Sequence, residues 1–152
     1  MGRRYSISGS DPSIANNTTV MALDSAASVR PLVYDLVVSC RDTPADQASG
    51  YQLERFAGGA GTSGSAVTPQ ALDPSDPASA CAAGQATYTA EPTYTANATL
   101  LAFNLNQRAT FRWVAAPGGE LVLPADDDGG LGIVATSPTA SFSVDAMIHF
   151  EE

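Results

Sequence analysis

Hydrophobic and polar positions alternate most cleanly near the end of this chain. Phe142, Val144, Ala146, Ile148 and Phe150 fall on one side, and Ser141, Ser143, Asp145, Met147 and His149 on the other. A period of two is the mark of a strand in a sheet with one wet face. Weaker alternation predicts strands at Arg4–Ser8, Asn17–Leu23 and Tyr51–Phe56. The strongest apolar run is Leu32–Arg41, with Leu32, Tyr34, Leu36, Val38 and Cys40 on one face and Val33, Asp35, Val37, Ser39 and Arg41 on the other. That mixed second face suits a central strand, or one partly covered by a neighbour. Further strands are predicted at Thr99–Leu105, Arg108–Val114, Glu120–Leu123 and Leu131–Ala135, with an edge strand at Ala86–Thr95 interrupted by Pro92. Helical periodicity is nearly absent. Ala78–Ala86 is the best short-helix candidate, weakened by Gly84.

Turn signals separate the runs at Asn106-Gln107, Pro117-Gly118-Gly119, Asp126–Gly130 and Ser137-Pro138. Thr62–Ala80, TSGSAVTPQALDPSDPASA, is rich in small residues, proline and aspartate and reads as neither helix nor strand. A compact domain rarely keeps so long a structureless loop without a task for it. Roughly eight to ten short strands with frequent turns predict an all-β fold. The expectation is one antiparallel β-sandwich over residues 1–152, jelly-roll-like, carrying a Gly/Pro/Ser-rich loop at 57–80.

Composition narrows the function classes. The chain has 152 residues, enough for one core. Its formal net charge is -9, which argues against nucleic acid and against an anionic membrane surface. All seven basic residues are arginine. No apolar run approaches the roughly 20 residues of a membrane span. The start, MGRRYSISGS, has no apolar stretch after its basic pair. The expectation is therefore a protein made and used in a cytoplasm, or released from it by lysis.

Candidate chemistry is sparse. His149 is the one histidine, with Asp145 on its strand face but two pleats away. A general base needs a partner within hydrogen-bond reach, so a satisfied or solvent-facing ring is expected. Gly61–Ser65, GTSGS, misses the nucleophile-elbow spacing. Asp126, Asp127 and Asp128 before Gly129-Gly130 invite comparison with a calcium loop, but calcium loops space their carboxylates at alternate positions. A solvated acidic turn is the simpler reading. Cys40 and Cys81 have no sequence reason to pair. Trp113 and Phe111 read as core, whereas an exposed Trp would favour a sugar-binding sandwich. No enzymatic activity and no cofactor are expected.

The segments RRYSI (Arg3–Ile7), Thr62–Ala80, Phe103-Asn104, RWVAAPGGELVLPA (Arg112–Ala125) and HFEE (His149–Glu152) together resemble small structural proteins of tailed bacteriophages. The likeness is to jelly-roll-like head decoration or cement proteins, or to head-fibre proteins. It implies a virion protein on the outer capsid surface, assembled in the host cytoplasm, binding the major capsid protein, commonly as a homotrimer. Loops rich in Gly, Pro and Ser follow another protein's surface closely, and proline lowers the entropy lost on ordering them. The interface candidates are Arg3, Arg4, Thr62, Pro69, Asp73, Pro74, Asp76 and Pro77. A tail or head-fibre component and a glycan-binding module are the alternatives.

Overall fold

The strands predicted from alternation assemble into two packed sheets, in a computed structural model that describes residues 2–136 and 141–152. The turn expected at Ser137-Pro138 lies outside the described residues. In chain order the strands are β1 (Arg4–Asp11), β2 (Thr18–Asp24), β3 (Leu32–Cys40), β4 (Ala48–Ala57), β5 (Ser65–Val67), β6 (Gln70–Ala71), β7 (Ala82–Gln85), β8 (Tyr94–Asn106), β9 (Phe111–Val114), β10 (Leu121–Val122), β11 (Gly129–Ala135) and β12 (Val144–Glu151). The first sheet runs β10-β3-β12-β1-β6, with β9 also on β3; the second runs β5-β7-β2-β11-β4-β8. Every pairing is antiparallel. The chain crosses between the sheets at β1–β2, β2–β3, β3–β4, β5–β6, β6–β7, β8–β9, β10–β11 and β11–β12.

The core lies between the sheets. Tyr5, Ile7, Val33, Leu36, Ile148 and Phe150 meet Met21, Leu23, Leu53, Leu131 and Ile133 there, all essentially without solvent contact. The Tyr5 and Phe150 rings stack at 5.6 Å. Full burial of each large side chain contributes about 1.5–3 kcal/mol.

One break in the alternation shapes the outer face of the first sheet. On β12, His149 opposes Asp35 while Phe150 opposes Val33, so Tyr34 is an extra residue in β3. Such a bulge turns two successive side chains to the same face. Val33 is therefore buried with Leu36, and Tyr34 joins Asp35 outside. This corrects the strict alternation read along Leu32–Arg41.

Thr62–Ala80 is not a structureless loop. It supplies β5 to the edge of one sheet and β6 to the edge of the other, and leads into β7. Backbone and side-chain bonds tie it down: Leu72 N–H to the Arg4 carbonyl, Tyr5 hydroxyl to the Pro77 carbonyl at 3.1 Å, and Ser79 hydroxyl to Glu152 at 2.8 Å. The segment thus folds over one open side of the sandwich. The residues that follow form β7, Ala82–Gln85, not the short helix expected at Ala78–Ala86.

The edge strand expected at Ala86–Thr95 begins only at Tyr94. Ala86 (φ 54°) and Thr87 (φ 44°) take the left-handed conformation and reverse the chain. The returning segment lies over the outer face of the second sheet. There Ser63 and the Tyr88 hydroxyl cover Gly84, and Tyr94 covers Gly132, each in a space that a Cβ would fill. Glu91 accepts hydrogen bonds from the Thr19 amide and hydroxyl, fixing the cover. Cys40 and Cys81 are both free thiols. Burial pushes the Cys81 thiol up to about 12, so it stays protonated and inert.

Candidate interaction surface

β1 and the turn after β6 bring four of the eight interface candidates together. Arg3 Nε lies 3.9 Å from Asp76 Oδ1. Asp73 accepts the Ser75 amide at 2.9 Å with its side chain and the Asp76 amide at 3.0 Å with its carbonyl, a turn-former as expected. With Gly2, Arg4 and Leu72 these residues line a groove of about 480 Å³. Pro74 and Pro77 flank it in the same turn. Thr62 and Pro69 are placed elsewhere: Thr62 bridges Ala90 over the second sheet, and Pro69 carries the chain from β5 to β6.

Arg4 also borders a second groove. This one, of about 280 Å³, is lined by Leu32, Tyr34, Val114, Ala115, Glu120 and Glu151, among others. Arg4 Nε donates to Glu151 at 3.1 Å, and its guanidinium lies 5.7 Å from the centre of the Tyr34 ring. A cation over an aromatic face adds roughly 0.5–1 kcal/mol at an exposed site. Arg4 therefore lines both grooves.

Beyond Tyr34 the face is held by a charged cluster that the bulge creates. Arg112 grips Asp35 with two hydrogen bonds, Nε to Oδ1 at 3.0 Å and Nη2 to Oδ2 at 2.6 Å. Planar two-point pairing of this kind is strong and directional. The Arg112 guanidinium holds the Asp35 carboxyl below the usual carboxylate range, against the opposing effect of burial. His149 Nδ1 stands 3.7 Å from the same Asp35 Oδ2. Asp35 is committed to Arg112, so it offers His149 a nearby charge, not an orienting hydrogen bond. Asp145, the neighbour suggested by sequence, instead pairs with Arg41, 2.8 Å away. The acid that faces His149 was hidden because it sits on another strand.

The acidic turn is used internally. Asp126 accepts the Asp128 amide at 3.1 Å and Asp127 the Ala27 amide at 2.7 Å. Among the described residues no three acidic, His or Cys side chains converge as a metal site would require. Phe111 and Trp113 face inward and pack against the core while Arg112 and Val114 face out.

Leu72 (50% exposed) and Val114 (56% exposed) are the large apolar side chains left in solvent among the described residues. Each lines one of the two grooves that share Arg4. Comparison with protein families, with curated proteins and with solved structures finds no match to this chain.

Proposed function

We propose that this chain is a virion structural protein of the capsid decoration or cement class, docking its Arg4-centred face on the major capsid protein. The observation that carries this reading is the placement of both exposed large apolar residues, Leu72 and Val114, beside the two grooves that share Arg4. Apolar anchors set among charged and aromatic groups are what a protein-binding surface uses. The strand order adds support. Taking β9 and β10 as one strand position, the sheets read first, eighth, third, sixth and second, seventh, fourth, fifth in the eight main strands, which is compatible with the jelly-roll form proposed for it. The resemblance to phage head proteins points the same way. The mechanism is burial: a stiff body adds interface energy where capsid subunits meet, and chemistry at the surface is not required.

The test is the copy number of this chain in gradient-purified particles, by quantitative mass spectrometry against the major capsid protein. A simple fraction of the capsid protein is expected. Leu72→Asp combined with Val114→Asp should fold normally yet be lost from particles. A handful of copies per particle would move the protein to a tail or fibre. Absence from particles would overturn the virion reading.

One observation favours glycan binding as the second reading. Tyr34 is half-exposed beside a groove that also holds Glu120 and Glu151, an aromatic platform with acceptors for sugar hydroxyls. Saturable quenching of Trp113 fluorescence by host polysaccharide, abolished by Tyr34→Ala, would support it.

A further inference from the structure

The two sides of the sandwich are finished differently. On one side the segment Thr62–Ala80 adds β5 and β6 and covers the opening. On the other, β8 ends the second sheet: it pairs with β4 and with nothing beyond it among the described residues. β8 is thirteen residues long. Its first half bulges away around Asn97 (φ 60°), but Leu101–Asn106 pairs one-to-one with Ala48–Leu53 as a straight ladder. Among the described residues one edge of that ladder is therefore open.

Proteins guard open edges with charge, proline, a bulge or a cover. From Tyr94 to Asn106 the strand holds no charged residue and no proline, in a chain with sixteen acidic and seven basic residues. Beneath the edge lies an unfinished apolar seam. Leu101, Phe103 and Leu105 point toward the core yet remain half-exposed, as do Phe111 and Trp113 across the gap. Phe103 and Phe111 stack with ring centres 3.8 Å apart, so the seam is continuous between the sheets.

We propose that β8 is a self-association edge, at which two copies of this chain pair their Ala102–Asn106 segments antiparallel about a two-fold axis at Asn104. Charge selects the occupant. A copy of this chain carries a formal charge of -9, and like charges facing each other across an interface are costly. A long strand stripped of charge is where such a copy approaches without that repulsion. Symmetry agrees, because antiparallel pairing of a strand with itself satisfies both open edges at once and is self-complementary. In that register Asn104 meets Asn104 and Ala102 meets Asn106, outward residues that are small or polar and fit opposite one another in a two-stranded ladder. The second sheet then continues through the dimer, and the aromatic seams of both copies come together.

The test is sedimentation velocity on the full chain and on Asn104→Glu, Asn104→Lys and their equimolar mixture. Asn104 is exposed and points away from the core, so both substitutions should keep the wild-type circular dichroism and melting curve. The wild type should sediment at twice 15.6 kDa. Each variant alone should fall to the single-chain mass, because like charges then face each other near the axis. Mixing them should restore the double mass. Hydrogen exchange at amides within Leu101–Asn106 should slow as wild-type concentration rises and not do so in either variant. A wild-type mass of one chain, or of three chains, would overturn the proposal. So would a dimer that survives Asn104→Glu.

Discussion

Replacing Asp24 with Asn should stabilise this protein at neutral pH. Asp24 ends β2, and its Oδ1 is buried with no hydrogen-bond partner among the described residues. Desolvation alone pushes its carboxyl from an ordinary 3.8 up to about 6. The folded state thus holds a proton on Asp24 more tightly than the unfolded chain does. The folded value is raised, so between pH 3.8 and about 6 the fold takes up a proton, and stability falls as pH rises through that window. Above about 6 the cost is constant. At about 1.4 kcal/mol per pH unit the rise corresponds to about 3 kcal/mol, and residual solvent contact trims this to roughly 1–3 kcal/mol. Asp24→Asn removes the charge and keeps the shape. Urea unfolding at pH 8 should therefore show a gain of roughly 1–3 kcal/mol, or a melting point higher by roughly 2–10 °C for a domain of this size. At pH 3.5 the two proteins should be nearly equal. A gain that is the same at both pH values, or a loss at pH 8, would refute desolvation of Asp24 as the cause.

Two further substitutions probe other parts of the body. Gly130→Ala places a methyl against the Phe56 ring and the Leu23 carbonyl in the middle of the second sheet, and should cost about 2–3 kcal/mol in urea unfolding; an unchanged midpoint would mean that the sheet relaxes around it. Arg112→Ala strips the 6%-exposed Asp35 side chain of its partner and should lower the urea midpoint at pH 7. The sign of its pH dependence is opposite to that of Asp24. The folded carboxyl is lowered, so this stability is present above the ordinary aspartate value and disappears as pH falls through the folded one. Melting curves of wild type and Arg112→Ala should therefore converge on acidification, and parallel curves would exclude the pair as the origin.

The outer strands show where local sequence stops being informative. β5, β6 and β10 are two or three residues long. Nothing in SAV, QA or LV favours a strand over a turn; each is extended because a neighbouring edge supplies its hydrogen bonds. The same override turns Ala82–Gln85 into β7 rather than a helix, since β2 offers it a ladder from Met21 to Asp24. Ala86–Thr95 fails as a strand for the converse reason. Ala86 and Thr87 are left-handed and turn Tyr88 back over the sheet beside Gly84, away from any ladder, and the chain becomes extended only at Tyr94.

The strands that were legible are those whose burial repeats every second residue over six or more positions. β12 is the clearest, with Val144, Ala146, Ile148 and Phe150 buried and Asp145, Met147, His149 and Glu151 between them. Sequence by itself determined the all-β class, these long strands and the inward direction of Phe111 and Trp113, because each follows from a local period of two. Tertiary structure alone decided that an extra residue at Tyr34 would put Asp35 between Arg112 and His149, and that Arg3 would meet Asp76. It also decided that Leu72 and Val114 would flank grooves sharing Arg4. Those contacts join residues 40 to 115 positions apart, through strand order and one bulge, and neither is written in any local pattern of the chain.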